Sequence, residues 1–296
     1  PPHPWGTQGP GGPRGPKGTQ RDSGGPKGPQ GDPRAPSAPL GGWAHGALWG
    51  YSEAIPNGRS FRVKAITKGK PFRNESLSVR KLSERTASRI VKIPEMISDE
   101  QAAAVTFKGT TVEYLLERAY PVKPGEDVLF YAAAGGVGLI AGQWGKALGA
   151  RMIGIVSGPE KCRLAFANGY DEVIDRKIED VTESVNELTA GAGVPVLYDS
   201  IGKDTYEQSI ECIAPRGLFV SFGASSGIVP PVEASTLQHK GSLYFTRPSL
   251  ADYCAARADY EASVERVFDM VASGDIKVDV GRRYSLEDVV KAHTEL

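Results

Sequence analysis

The chain has 296 residues, of which 40% are hydrophobic, and its 35 Lys and Arg residues equal its 35 Asp and Glu residues in number. This length and apolar content are enough for one large globular domain or two modest ones. The composition argues against a membrane-spanning chain, because nowhere do about 18 apolar residues run together.

The three cysteines give no support for a disulfide framework or a zinc site. Cys162, Cys212 and Cys254 are far apart in the sequence and form neither a C-x-x-C motif nor a Cys/His cluster. The N-terminus also lacks a charged start followed by an apolar stretch, which a secretory signal would have. We therefore expect a cytoplasmic protein with no membrane partner and no bound metal.

Residues 1–60 are expected to be disordered. The first 42 residues contain eleven Pro and twelve Gly. This is too much Pro and Gly for helices or strands, and too little apolar surface to offset the entropy lost on ordering.

Residues 61–92 form a basic segment with ten Lys or Arg and two Glu. Such a run can attract phosphate groups of a nucleic acid or another anionic surface. Because no recognised nucleic-acid-binding motif accompanies it, we favour a solvated, poorly folded tail and expect no nucleic-acid partner.

From Ile93 onwards the sequence alternates between strand and helix patterns. Ser98, with Gln101 three residues later, is typical of a capping box and predicts a helix from about 99 to 119. A second helix is expected after Gly138, ending near Gly149. Apolar runs predict strands at 127–132, 152–156, 172–175, 196–199, 218–222 and 243–246. This alternation indicates an α/β fold with a doubly wound parallel sheet, a Rossmann domain over residues 93–275.

A glycine cluster lies between the predicted strand at 127–132 and the helix that follows it. The motif Ala133-x-Gly135-x-x-Gly138 has the spacing of a dinucleotide-binding turn, with Ala133 in place of the first glycine. Gly135 would let the main chain approach a pyrophosphate, Gly138 would let the helix pack closely on the strand, and the helix N-terminus would attract negative charge. The alternative is a tight turn that is glycine-rich without binding a nucleotide.

The residues after the next two strands favour NADPH over NADH. An acidic residue commonly follows the second strand of such folds and binds the ribose hydroxyls of NAD. No acid stands directly there, whereas Ser157 and Lys161 offer a hydroxyl and a positive charge to a 2′-phosphate, and Arg176 follows the third strand. Each of the three is, taken alone, also compatible with an ordinary surface position.

Five segments in order, "KGTTVEYLL", "AAAGGVG", "VLYDSIGKDT", "SFGASSG" and "GSLYFTRPSL", resemble the zinc-independent quinone oxidoreductases of the medium-chain dehydrogenase/reductase superfamily, the zeta-crystallin-like group. The resemblance covers about residues 89–296. It implies a Rossmann domain that binds NADPH, a GroES-like catalytic domain, a quinone or activated-alkene substrate reduced by hydride transfer, and a homodimer.

The resemblance also assigns cofactor-binding residues. Thr111 and Tyr114 resemble helix residues that line the cofactor site, and Arg176 stands where the family commonly has tyrosine. For Tyr114 and Ile201 the alternative is core packing. Gly136 and Val137 resemble the family's pyrophosphate contacts, and Ser157 and Lys161 resemble its 2′-phosphate contacts. Ile201 resembles the wall beside the adenosine, and Ser225 and Ser226 resemble the loop beside the nicotinamide half.

Upstream of residue 89 the resemblance stops. Residues 61–92 are therefore interpreted as a degenerate remnant of the catalytic domain, and residues 276–296 as its truncated C-terminal part. The Pro, Gly and Arg enrichment upstream is typical of a GC-rich gene read out of frame, which we favour over a true fusion. Two functions remain open: an NADPH-dependent quinone reductase, impaired in this chain, and a non-catalytic nucleotide-binding remnant. No catalytic residue is assigned.

Overall fold

The computed structural model describes residues 50–51, 90–285 and 287–295. The predictions of disorder for residues 1–60 and of a degenerate segment over residues 61–92 fall almost entirely outside these ranges. The strands are β1 (Gly50–Tyr51), β2 (Val91–Lys92), β3 (Asp127–Tyr131), β4 (Arg151–Val156), β5 (Glu172–Asp175), β6 (Val194–Asp199), β7 (Ile213–Ser221) and β8 (Tyr244–Thr246). β1 and β2 pair with each other as a separate parallel ribbon.

The α-helices of the described ranges follow the alternation that the sequence predicts. They are α1 (Asp99–Glu113), α2 (Gly136–Ala147), α3 (Pro159–Phe166), α4 (Val181–Leu188), α5 (Tyr206–Glu211), α6 (Ala234–His239), α7 (Leu250–Tyr253), α8 (Arg257–Ala272) and α9 (Val289–Thr294). The predicted capping box is present at the start of α1, where Gln101 N donates to Ser98 Oγ at 3.2 Å and Ser98 N donates to Gln101 Oε1 at 2.9 Å.

The central sheet has six strands in the order β5-β4-β3-β6-β7-β8, and every pair in it is parallel. Chain order reverses between β3 and β6, so the crevice of a doubly wound fold lies at the carboxyl end of β3. The predicted Rossmann architecture is confirmed.

Alternate residues of each strand enter two separate apolar cores. On β3, Val128 and Phe130 pack with α1, α2 and α8, whereas Leu129 and Tyr131 pack with α4 and α5 on the opposite face. Helices on both faces explain why the strands read as continuous apolar runs and not as an alternating pattern.

A π-helical turn, Tyr114–Ala119, continues α1 and completes the predicted helix from 99 to 119. Its widened main chain is held from the sheet by Tyr198, whose hydroxyl donates to Leu115 O at 2.9 Å. Below it, the buried Glu113 carboxylate accepts from Ser263 Oγ at 2.6 Å and from Arg118 at 2.7 Å, which ties α1 to α8.

Candidate functional site

The predicted site residues lie mostly on loops at one edge of the sheet. Because all six strands are parallel, the segments that follow β3, β4, β5, β6 and β7 emerge at the same carboxyl edge. These segments carry the glycine turn, Ser157 with Lys161, Arg176, Ile201, and Ser225 with Ser226. The edge of the sheet around β3 is where ligands bind in open α/β folds.

The glycine turn is packed so closely that side chains are excluded from it. A Cβ on Gly138 would lie 2.4 Å from Ala132 O and 2.6 Å from Ala133 O, both main-chain atoms. Gly135 is the N-cap of α2, and its amide donates to Ala132 O at 2.8 Å. Val137 is partly exposed beside these glycines. The close packing expected of Gly138 is therefore present in the structure.

Ala133, which replaces the first glycine of the usual motif, is accommodated by a glycine on the neighbouring strand. A Cβ on Gly154 of β4 would lie 2.8 Å from the Ala133 methyl and 2.8 Å from the Tyr170 ring. Tyr170 in turn donates its hydroxyl to Gly138 O at 2.8 Å, and complete burial raises its pKa well above the usual value. The turn is thus fixed from beneath by a neutral phenol.

Lys108 reaches the same turn, although the sequence pattern did not single it out. Its Nζ lies 2.9 Å from the position that a Cβ on Gly136 would take. Lys108 is one turn of α1 away from Thr111, so the helical spacing of three residues was the available signal once Thr111 had been placed at the site. The ammonium group and the N-terminus of α2 together make this turn positively charged.

Ser157 and Arg176 are brought together from the ends of adjacent strands. Arg176 Nε donates to Ser157 Oγ at 3.0 Å, across 19 positions of sequence. Lys161 lies in the first turn of α3 and is exposed. The three polar groups proposed for a 2′-phosphate therefore stand at the ends of β4 and β5.

An acidic residue is present near this group, but its carboxylate is turned to the protein's own main chain. Asp175, the last residue of β5, is buried and accepts from Gly158 N at 2.8 Å and from Lys177 N at 3.1 Å. These main-chain hydrogen bonds, with Gly158 first, lower the pKa of Asp175. The carboxylate holds the turn that follows Ser157.

Ile201 and the serine loop are joined to each other. Ile201 O accepts from Ser226 N and from Ser226 Oγ, each at 2.9 Å, and Ser225 N donates to Ser200 O at 3.2 Å. Ile201 is partly buried and packs against the core formed with α4 and α5.

Asp199, at the end of β6, anchors the Ile201 loop from below and was not singled out from the sequence. Its fully buried carboxylate accepts from Ile201 N at 2.6 Å, Gly202 N at 3.1 Å, Thr205 Oγ1 at 2.6 Å and Ser209 Oγ at 3.2 Å. Four donors compensate a charge that would otherwise be costly to bury.

Thr111 and Tyr114 lie at the end of α1, away from free solvent. The Thr111 hydroxyl donates to Phe107 O at 3.0 Å within the helix. Tyr114 is 2% exposed and stacks on Tyr253 with ring centroids 4.7 Å apart. Burial raises the pKa of Tyr114, so the phenol is neutral at physiological pH. For Tyr114 these contacts are those of the core-packing alternative.

Neither a metal cluster nor a membrane-spanning helix is found in the ranges that the structure describes. There, no three His, Cys, Asp or Glu side chains lie close enough together to hold a metal ion. Within the same ranges no helix has the length and apolar character needed to cross a membrane.

The chain is similar to a family of dehydrogenases and to two quinone oxidoreductases. Residues 136–273 match a protein family described as zinc-binding dehydrogenase. The chain is 50% identical over 208 residues to a quinone oxidoreductase of Pseudomonas aeruginosa, and 49% identical over 209 residues to quinone oxidoreductase 1 of Escherichia coli. Each alignment covers 70% of this chain and 64% of the relative.

Solved structures agree with the sequence relatives. A crystal structure of Escherichia coli quinone oxidoreductase complexed with NADPH is 49% identical and superposes with a TM-score of 0.68, over 71% of this chain and 65% of that one. A mycobacterial protein solved in complex with NADPH is 42% identical, with a TM-score of 0.67, over 71% of this chain and 65% of that one. The chain spans slightly less than two thirds of the length of these relatives.

Proposed function

We propose that this chain belongs to the quinone oxidoreductases of the medium-chain dehydrogenase/reductase superfamily, and that it binds NADPH and reduces a quinone or an activated alkene. The observation that carries the proposal is the 50% identity over 208 residues and the 49% identity over 209 residues to two quinone oxidoreductases. The glycine turn and the Ser157–Arg176 pair are independent physical support.

The residues present fit this cofactor. Gly135 and Gly136 are exposed at the turn, and the amides at the start of α2 offer donors to a pyrophosphate. Lys108 adds a positive charge there. At the other end, Ser157, Lys161 and Arg176 supply a hydroxyl and two cations, which suit a 2′-phosphate better than free ribose hydroxyls.

The serine loop and Ile201 would bound the cofactor on the side of β6 and β7. We propose that Ile201 forms the adenosine wall and that Ser225 and Ser226 border the nicotinamide half. Thr111 and Tyr114 support this region from the end of α1, and Gly135, Gly136 and Val137 approach the pyrophosphate.

When bound, NADPH supplies the hydride, and the protein supplies orientation and a cleft from which water is excluded. The described residues provide one wall of that cleft. We propose that the catalytic wall corresponds to the third of the relatives' length that this chain does not match. Cofactor binding should therefore survive better than turnover, and a nucleotide-binding protein without catalysis is the second candidate function.

Two measurements separate these candidates. Titration of the full chain with NADPH, followed by fluorescence of the nicotinamide, should show saturable binding in both cases. Oxidation of NADPH at 340 nm with a simple quinone should exceed the protein-free rate only for the reductase. Absence of NADPH binding would refute both.

We also propose a cytoplasmic homodimer that forms through the edge strand β8. Among the strands described, β8 lies at one edge of the six-stranded sheet, and its Tyr244 is 64% exposed. An edge strand of this kind can pair with its copy across a two-fold axis. Sedimentation velocity should give a dimer for the parent protein and monomers or aggregates for Tyr244→Pro. A monomeric parent would contradict the proposal.

A further inference from the structure

The two loops that follow β6 and β7 are paired with each other beyond the edge of the sheet. They are the Ile201 loop, residues 200–204, and the serine loop, residues 223–227. Lys203 N donates to Gly227 O at 3.1 Å, and Gly202 forms an isolated parallel bridge with Gly227. The parallel pairing of β6 with β7 therefore continues into the loops that carry the proposed cofactor contacts.

Main-chain atoms of the two loops approach each other closely. A Cβ on Gly202 would lie 2.3 Å from Gly227 O, and a Cβ on Gly223 would lie 2.4 Å from Ser200 O. No side chain separates the loops at these two points. A displacement of one loop is therefore transmitted directly to the main chain of the other.

The Ser226 hydroxyl adds a side-chain link between the loops. Its Oγ donates to Ile201 O at 2.9 Å and accepts from Asp204 N at 3.0 Å, so a residue of the serine loop is bonded to two positions of the Ile201 loop. A serine hydroxyl has a single proton, and here Ile201 O receives it. Ser226 therefore has no hydrogen left to donate to a ligand.

The neighbouring Ser225 differs from Ser226 in both exposure and bonding. Ser225 is exposed, whereas Ser226 is only partly exposed. The Ser225 hydroxyl has no hydrogen-bond partner in the part of the chain that the structure describes. Of the two serines, Ser225 is the one whose hydroxyl is free to donate to a cofactor.

We propose that Ser226 is a positioning residue that holds the Ile201 loop against the serine loop, and so fixes both ends of the cofactor site at once. It acts on the adenosine end through Ile201 and on the nicotinamide end through Ser225. This inference rests on the proposed function, which places those two residues at the two ends. Loops that are ordered before binding cost the ligand no affinity, so loss of this link should weaken ligands that touch either loop.

The change Ser226→Ala removes the link without removing all contact between the loops. The hydrogen bond from Ser226 N to Ile201 O, at 2.9 Å, does not need the side chain and remains. Asp204 N, in contrast, loses the hydrogen-bond partner that it has in the described ranges. The Ile201 loop should therefore loosen at Asp204 while the domain stays folded.

Two ligands that share the adenosine end separate positioning from direct contact. NADPH spans both ends of the site, whereas adenosine 2′,5′-bisphosphate has the adenosine and the 2′-phosphate but no nicotinamide. Their affinities for the full chain are measured by isothermal titration calorimetry, well below the melting temperature. The variants are Ser226→Ala, Ser226→Thr, Ser225→Ala and, as a control on the exposed surface of α6, Ser235→Ala.

Ser226→Ala should weaken both ligands by a similar factor of about five, the worth of one net hydrogen bond. Ser226→Thr keeps the hydroxyl and should bind both ligands nearly as the parent does. Ser225→Ala should weaken NADPH alone, and Ser235→Ala should weaken neither ligand. Without ligand, amide hydrogen exchange in Ser226→Ala should be faster at Asp204 and unchanged in the glycine turn after β3.

The inference is wrong if Ser226→Ala weakens NADPH but not the bisphosphate, because Ser226 is then a direct contact of the nicotinamide half. It is also wrong if both ligands bind this variant as they bind the parent, even where the melting temperature falls, since the role is then purely structural. Unchanged hydrogen exchange at Asp204 would contradict it as well. In these three cases the parent still binds NADPH and the proposed function stands, whereas a parent that binds neither ligand would overturn both.

Discussion

Replacing Gly138 by alanine should destabilise the protein, whereas the same change at Gly136 should not. Both residues lie in the first turn of α2. At Gly138 the new methyl would stand 2.4 Å and 2.6 Å from two main-chain carbonyl oxygens. At Gly136 it would meet only the end of the Lys108 side chain, at 2.8 Å, which can rotate away.

The difference between the two variants isolates the cost of close packing. Alanine is favoured over glycine in a helix by up to about 1 kcal/mol, and this gain applies to both variants. Overpacking a site whose neighbours cannot move costs about 1–3 kcal/mol. The neighbours of Gly138 are fixed, because Ala133 is 0% exposed and Tyr170 donates to the Gly138 carbonyl.

Urea unfolding followed by far-ultraviolet circular dichroism measures the effect. With an overpacking cost of about 1–3 kcal/mol and an unfolding slope of about 2–3 kcal/mol per molar urea, we expect the midpoint of Gly138→Ala to fall roughly 0.3–1.5 M below that of Gly136→Ala. Gly136→Ala should unfold at or slightly above the parent midpoint. Equal midpoints for the two variants would show that the turn relaxes freely, and would refute the packing argument.

Three further outcomes are expected. Lys161→Glu should weaken NADPH binding about tenfold or more and leave NADH binding nearly unchanged. Lys146→Glu, at the far end of α2, is the control. Equal loss for both cofactors would count against the 2′-phosphate assignment. Asp175→Asn should lower the free energy of unfolding at neutral pH and make that free energy less dependent on pH in acid. The lowered pKa of Asp175 stabilises the fold above the pKa of the unfolded state, about 3.9, and this stabilisation is lost as the pH falls through the lowered pKa. In thiol labelling with Ellman's reagent at pH 8, Cys162 should react first, because the other two cysteines are buried; labelling of all three at one rate in the folded protein would contradict this burial.

Most of the sheet could be predicted from apolar runs, and the misplaced boundaries have physical reasons. The strand predicted at 172–175 has those bounds in the structure. β7 was predicted from 218 but begins at Ile213, because Pro215, Arg216 and Gly217 read as a turn. In the structure Arg216 has a φ of 65° and donates its amide to Gly241 O, so the strand continues through an irregularity near its start.

The π-helical turn had no signal in the sequence. Residues 114–119 continue the apolar pattern of α1, which predicts an ordinary helix. The register change is stabilised from outside the helix, by the Tyr198 hydroxyl at Leu115 O. Contacts between residues 83 positions apart cannot be read from a local pattern.

Main-chain features of the candidate site could be predicted, whereas its supporting side chains could not. The glycine spacing follows from the geometry that a strand-to-helix turn imposes, so it can be recognised in a short segment of the sequence. Tyr170 depends on a partner that only the fold brings near, since its hydroxyl donates to Gly138 O, 32 positions earlier in the sequence. The Arg176–Ser157 contact lies between these cases, because both residues follow strands that the sequence already placed side by side.

The parts of the proposed cofactor site are held in place by the protein's own hydrogen bonds. Tyr170 fixes the glycine turn, Asp175 fixes the turn after Ser157, and Asp199 fixes the loop of Ile201. A site ordered before binding does not have to spend ligand affinity on ordering its loops. Turnover has a further requirement, since orienting two reactants can lower a barrier by about 7–11 kcal/mol at the extreme, and that needs both walls of the cleft. Binding and catalysis therefore depend on different parts of the chain, and a chain that retains the first can lack the second.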